Sequence, residues 1–389
     1  MKRIDADWLI TTATQSVFRM LADRGYEAYA VGGCVRNTLL GVPVTDIDIA
    51  TSASPTQVLD AAKSVGLKAI PTGFDHGTVT IVSEGTPFEV TTYRQDVKTD
   101  GRRAIVSFTD DIRQDARRRD FTMNALYVDA SGNLLDPLDG LSDLMVRRVR
   151  FIEDADARIR EDYLRSLRFF RFYAQYGDPS EGLDADALSA VASNLDGLGG
   201  LAAERIGSEM LKILGARDPA PALAGMCASG ALTAILPAAN PNWIAPLVHL
   251  EHEANRQPDA MRRLVVLGGE DPESRFRLSR PDARKHRLIA ETVRKGTRLT
   301  ETSWRFGPDI AWSGALARHA LSEHPLPSNL AAMIDNAAAA EFPLKARDLM
   351  DNVTGPALGA ALKRAETAWI ESDFELGEAA LIKIALEEG

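Results

Sequence analysis

Apolar positions along ADWLITTATQSVFRMLADRG recur at helical spacing, and Gly25 closes the run, which predicts a helix. YEAYAVGG then reads as a strand running into a glycine turn, and CVRNTLLG as a short helix stopped by Gly41. VTDIDIAT alternates and predicts a second strand. In SPTQVLDAAKSVG, Ser54 suits the helix cap, Pro55 the first helical position and Gly66 the stop. GTVTIVSEGTPFEVTTYR reads as two strands joined by a turn over Glu84 to Pro87. QDVKTDGRRAIVSFTDD has no period and predicts a mobile loop, while RRRDFTMNALYVDASGNLLDPLDG predicts a short helix followed by a hairpin or turn. From LSDLMVRRVR onward, helical patterns dominate, among them DYLRSLRFFRFYAQYG, AERIGSEMLKIL and PDARKHRLIAETVRKG. The patterning therefore predicts an α+β chain, with a mixed sheet and helices first and an all-α half after it. No internal repeat or low-complexity segment breaks this order, and GDPSEGLD and GARDPAPA read as short linkers.

Composition adds boundaries. A chain of 389 residues, 45% of them hydrophobic, has room for two or three cored domains. Its two cysteines, Cys34 and Cys227, have no paired spacing, which suits a reducing compartment and excludes a disulfide scaffold or zinc ribbon. The start of the chain lacks the apolar core of a signal peptide, and no apolar run approaches the roughly 20 residues of a membrane span. The expectation is a cytoplasmic protein with no membrane contact and no obligate protein partner. A net charge of −10 argues, taken alone, against nucleic acid. Arginines nevertheless crowd Arg117 to Arg119 and the stretch from Arg147 to Arg171, while the C-terminal half reads as less dense in arginine.

The candidate chemistry begins at Gly32 and Gly33. A strand, a glycine pair and then a helix point free N–H groups toward an anion, and Arg36 adds charge; plain turn chemistry is the alternative. Asp46 and Asp48 lie two apart on the predicted strand, so both carboxylates would face one side. Such a pair repels unless a cation sits between them, and magnesium prefers oxygen ligands completed by water and phosphate. An acidic outer strand face is the bland alternative. Glu89, on the neighbouring hairpin strand, reads as a third carboxylate or as a cross-strand polar residue. Arg118, Arg119, Asp120 and Asn124 offer guanidinium forks for phosphate and an acceptor for a ribose hydroxyl, against a helix end with Asp120 paired locally. Asp162 and Arg165 are three apart on a predicted helix face. They form either a routine ion pair or a planar edge that complements the amino donor and ring-nitrogen acceptor shared by cytosine and adenine.

Taken in order, VGGCVRN, DIDIAT, DGRR, RRRDFTMNALYVD, LDPLDGLSDL, EDYLRSLRFFRF and ERIGSEMLKIL resemble the class II tRNA nucleotidyltransferase and bacterial poly(A) polymerase family, within the DNA polymerase beta-like superfamily. The resemblance implies a nucleotidyltransferase head over residues 1–140, a helical neck over 141–215 and a helical, tRNA-binding body and tail over 216–389. It implies catalysis at Asp46, Asp48 and Glu89, with Mg2+ on Asp46 and Asp48. The nucleotide would lie on Gly32, Gly33, Arg36, Arg119, Asp120, Asn124, Asp162, Arg165 and Arg168. The implied activity is template-independent addition of CCA to tRNA from CTP and ATP, with poly(A), A-only or CC-only addition, or non-catalytic RNA binding, as alternatives. The DGRR loop supports CCA over CC addition, because CC-adding members of the family tend to lack it. Asn37 stands where the family usually has Asp. No His-Asp dipeptide is present, so the phosphohydrolase domain of some relatives is not expected, and the lack of a long basic tail favours the tRNA reading over poly(A) addition.

Overall fold

The computed structural model describes residues 2–100 and 103–387, with the side chains of 96–100 and 103–105 outside the description. The chain divides into two compact units, one of residues 1–213 with 221–235, the other of 214–220 with 236–389.

A seven-stranded sheet organises the first unit, in the order β3-β4-β5-β2-β1-β8-β9. Its strands are β1 (Ala28–Val31), β2 (Asp48–Thr51), β3 (Lys68–Gly73), β4 (Thr78–Ser83), β5 (Thr86–Thr92), β8 (Tyr127–Val128) and β9 (Leu134–Leu135). Only β2 and β5 run parallel, in a register that sets Asp48 opposite Glu89. The β4–β5 turn uses positive φ at Glu84 and Gly85, which matches the twist of a tight hairpin. Helices α1 (Asp7–Ile10), α2 (Thr12–Ala22), α3 (Gly33–Leu40) and α4 (Pro55–Ser64) belong to this sheet region. Ser54 and Gln57 form the full capping box of α4. The first predicted helix is split in two, because the Thr11 side chain accepts from Thr14 N and starts a new helix there.

Two expectations fail here. The stretch read as a loop forms a two-stranded ribbon, β6 (Arg94–Asp100) and β7 (Arg103–Phe108). A two-stranded ribbon satisfies its backbone by pairing and needs no alternating apolar face, so periodicity could not reveal it. Gly101 and Arg102 of DGRR lie outside the described residues. The predicted strand VTDIDIAT shortens to Asp48–Thr51. Antiparallel to β1, the residue that would face Asp46 is Gly33, which has already entered α3, so the ladder has no partner to offer Asp46.

The remaining helices, in chain order before the second unit's α13, are α5 (Ile112–Arg117), α6 (Gly140–Met145), α7 (Ala155–Glu161), α8 (Leu164–Tyr176), α9 (Ala185–Ser193), α10 (Ala203–Leu214), α11 (Ala220–Ala228) and α12 (Ala231–Ile235). Phe121, Phe151, Phe169 and Phe172 pack ring against ring, joining α8 to the segment after α5.

The second unit is helical. It contains α13 (Ile244–Glu253), α14 (Ala260–Leu267), α15 (Pro272–Arg275), α16 (Arg280–Lys295), α17 (Leu299–Phe306), α18 (Pro308–Ser322), α19 (Leu330–Ala339), α20 (Pro356–Glu371) and α21 (Glu378–Leu386). Arg262 and Arg263 of α14 converge on Glu251 of α13, all three buried. Trp369 centres an aromatic cluster with Trp304, Phe342 and Phe374. Although less dense in arginine overall, the C-terminal half holds an arginine stripe: Arg280, Arg284, Arg287 and Arg294 fall at helical spacing along α16 and are exposed. No helix among the described residues is long and apolar enough to cross a membrane.

Candidate active site

A cleft of about 430 Å³ in the first unit gathers most of the residues singled out above: Gly32, Gly33, Arg36, Asp48, Arg119, Asp120, Asn124, Asp162, Arg165 and Arg168. Its floor begins at the glycine turn. Gly32 takes φ 74° and ψ −117°, which a residue with a side chain rarely adopts, and α3 starts immediately after it. A Cβ on Gly32 would lie 3.4 Å from Nη1 of Arg119, so the bare backbone also admits that guanidinium.

Asp48 is half-buried at the sheet end. Burial, then Glu89 opposite it and Asp46 two residues back, hold its carboxyl above the usual range, with Arg119 the one counteracting charge. Neither Asp48 nor Glu89 has an ion pair or side-chain hydrogen bond among the described residues, and Asp46 accepts only from Thr45 Oγ1, at 3.1 Å. Beneath them, burial and then Asp48 push the Cys34 thiol to about 11, so it adds no further negative charge. Among the described residues, no three His, Cys, Asp or Glu are drawn together tightly enough to enclose a metal by themselves. An oxygen-only set offset by Arg119 alone, and without an ion pair among the described residues, still fits a hard divalent cation such as magnesium, which takes one or two protein carboxylates and completes its shell from substrate phosphates and water.

The opposite wall is fully paired. Nη1 of Arg36 donates to Asn124 Oδ1 at 2.5 Å, Nδ2 of Asn124 donates to Asp120 Oδ1 at 2.9 Å, and Arg168 donates to Asp120 Oδ2. Arg36 is 6% exposed and lies over the Tyr176 ring, 4.1 Å from its centroid. Burial lowers its pKa, partly offset by Tyr176. Against its burial, Arg168 and the hydrogen bonds from Asn124 and Phe121 N hold Asp120 down at about 2. Asp120 is thus hydrogen-bonded locally, to Phe121 N and Asn124, and ion-paired to a helix 48 residues away.

Arg119 donates through Nη2 to Asp115 at 3.0 Å and through Nε to Tyr127 Oη at 3.1 Å. Its remaining nitrogen faces the glycine turn. Asp115, fully buried, also accepts from Arg118 and Tyr127; despite burial, Arg119 and Arg118 bring it to about 2. Asp115 was not foreseen, although its spacing of three and four from the two arginines is a legible signal.

Asp162 and Arg165 both line the cleft, yet they do not share a helix face. Asp162 is extended (φ −152°, ψ 105°) between α7 and α8, and its Oδ1 accepts from Leu164 N at 3.1 Å. Aspartate favours that capping position over a helix interior because it can satisfy a free N–H there. The pair does not bond internally either. Asp162 Oδ2 accepts from Arg205 of α10 at 2.6 Å, while Arg165 donates to Glu161 and to the carbonyl of Arg158. Arg205 lies 43 residues from its partner, beyond any local sequence signal. Each member keeps capacity for a ligand, because a carboxylate oxygen accepts two hydrogen bonds and Arg165 Nε makes none among the described residues.

Residues 28–150 match the poly A polymerase head domain, and residues 182–242 match the family described as a probable RNA and SrmB-binding site of polymerase A. The chain is 44% identical over 207 residues to mouse CCA tRNA nucleotidyltransferase 1, mitochondrial, covering 53% of this chain and 48% of that protein. It is 42% identical over 219 residues to the CCA-adding enzyme of Geobacillus thermodenitrificans, covering 56% and 52%. The chain thus spans about half the length of the curated relatives it matches. The crystal structure of the Bacillus stearothermophilus CCA-adding enzyme in complex with CTP superposes with a TM-score of 0.76 at 27% identity, covering 96% of each chain. Residues 28–150 thus carry a poly A polymerase head domain, and over about half of its length the chain is similar to CCA-adding enzymes.

Proposed function

We propose that the protein adds CCA to the 3′ end of tRNA, using CTP and then ATP. One observation carries this reading: carboxylates at Asp46, Asp48 and Glu89, without an ion pair among the described residues, adjoin a cleft whose opposite wall presents Asp162 and Arg165 in a rigid arginine–carboxylate frame. The names of the relatives and the CTP complex of the Bacillus stearothermophilus enzyme support it. In this reading residues 1–140 are the catalytic head, 141–215 the neck and 216–389 the body and tail of a cytoplasmic enzyme.

The chemistry is displacement at the α-phosphate: the tRNA 3′-oxygen forms a bond to phosphorus, the bond to the bridging oxygen breaks, and pyrophosphate leaves with it. Asp46 and Asp48 would hold Mg2+, which supplies Lewis acidity to the hydroxyl and to the phosphates. Glu89, in register with Asp48, lies where it can orient the attacking hydroxyl. The α3 N-terminus, Arg36 and Arg119 favour the triphosphate by charge, and Asp120 and Asn124 fix the guanidiniums of Arg168 and Arg36 against the cleft. Asp162 accepts from the exocyclic amine and Arg165 donates to the ring nitrogen, a pattern C and A share and G and U lack. The α16 stripe supports backbone contacts to a folded RNA, since Arg280, Arg284 and Arg294 carry no ion pair among the described residues.

Incubating the protein with tRNA that lacks its 3′ end, with CTP and ATP singly and together, and sequencing the products tests this. Ordered CCA and then arrest is expected. A long A tail, or growth on generic RNA, would instead mark a poly(A) polymerase and overturn the proposal.

A further inference from the structure

Asn37, in the last turn of α3, makes contacts in two directions. Its Oδ1 accepts from Nε and Nη2 of Arg36, at 3.2 and 2.9 Å, and its Nδ2 donates to the Pro43 carbonyl at 2.9 Å. The amide orientation follows from its partners, because a guanidinium only donates and a carbonyl only accepts. The main-chain oxygen of Asn37 also accepts from Val42 N, at 2.8 Å, just past Gly41 in its left-handed conformation.

Residues 42–47, which carry Asp46, are exposed or half-buried and precede the strand ladder. Among the described residues, the hydrogen bonds that residues 42–46 make to the rest of the protein end on Asn37. The remaining one, from Thr45 to Asp46, is internal. Asp48, by contrast, is fixed in the sheet between Val31 and Glu89. We infer that Asn37 is a positioning residue: its amide tethers the segment that brings Asp46 to Asp48, and its oxygen steadies Arg36. The inference rests on the proposed role of Asp46 in holding a divalent cation. Asparagine suits both tasks, whereas aspartate would serve Arg36 but set an oxygen against the Pro43 carbonyl with no proton between them.

Mn2+ binding to the full-length protein, followed by loss of the free-ion EPR signal, tests this in wild type, Asn37→Asp and Asn37→Ala. Both variants should bind Mn2+ about fivefold to tenfold more weakly, the effect of one lost hydrogen bond. Asn37→Asp is nearly isosteric, so it remains informative where Asn37→Ala unfolds. It is also the sharper variant, because an added carboxylate acting by charge alone would tighten Mn2+ binding. In steady-state addition, Asn37→Asp should lower kcat with KM for CTP within about twofold, since Arg36 keeps its acceptor, whereas Asn37→Ala should also raise KM. Unchanged or tighter Mn2+ binding in Asn37→Asp overturns the tether. Asp46→Ala, run alongside, separates the two levels: undiminished Mn2+ binding there would sink the assignment of Asp46 itself.

Discussion

The two sides of the cleft handle charge in opposite ways. On the arginine side, each of three carboxylates has a guanidinium within hydrogen-bond reach: Asp115 with Arg118 and Arg119, Asp120 with Arg168, Asp162 with Arg205. At the sheet end, Asp46, Asp48 and Glu89 crowd together, and only Arg119 offsets Asp48. A fold free to optimise stability would have paired the second group as it paired the first. One side is therefore built for shape and permanence, and the other is held at an electrostatic disadvantage that a cation would relieve.

Breaking the sheet end should abolish chemistry and spare the fold. Asp46→Ala and Asp48→Ala are each expected to lower CCA addition at least about a thousandfold. Binding of tRNA, measured by filter retention, should stay within about twofold, because its contacts lie elsewhere in the proposed scheme. Breaking the paired side should instead cost the fold. Asp115→Ala leaves Arg118 and Arg119 facing a void where a fully buried partner stood, and denaturant unfolding should show a loss of about 3–4 kcal/mol.

The pH dependence separates the sides further. Asp115 and Asp120 have folded pKa values of about 2, below the unfolded carboxylate value. Their stabilisation is complete above that unfolded value, near 3.9, and is withdrawn as pH falls toward about 2. Asp48 has the opposite sign. Its raised pKa means that its ionised form disfavours the fold, increasingly so as pH rises past the unfolded value. Asp48→Asn should therefore melt about 1–3 °C above wild type at pH 7 without metal, an advantage that fades in acid. This is the smallest of the effects and the one that no purely structural role for Asp48 would produce.

Much of this was legible in the sequence. Gly32 and Gly41 punctuate α3 where the pattern placed them, and Ser54 caps α4. The twelve residues singled out as a site do not all share one surface: ten line the cleft, while Asp46 and Glu89 act on Asp48 from beside it. What the pattern concealed was geometry that depends on distant partners. Asp46 lies off the strand because β1 has already turned into α3 opposite it. Asp162 and Arg165 look like an i,i+3 pair, yet each is claimed by another residue, Arg205 and Glu161. No local rule can foresee an ion pair across 43 positions, and the lack of alternation in β6–β7 hid its strands.

The most direct measurement is the melting temperature of the metal-free protein with and without millimolar Mn2+, in wild type, Asp48→Asn and Asp120→Asn. If the sheet end stores uncompensated charge for a cation, Mn2+ should raise the wild-type midpoint by about 2 °C or more. The same increment should survive in Asp120→Asn, on a lower baseline, and vanish in Asp48→Asn. A full Mn2+ response in Asp48→Asn, or none in wild type, would contradict the contrast between the two sides.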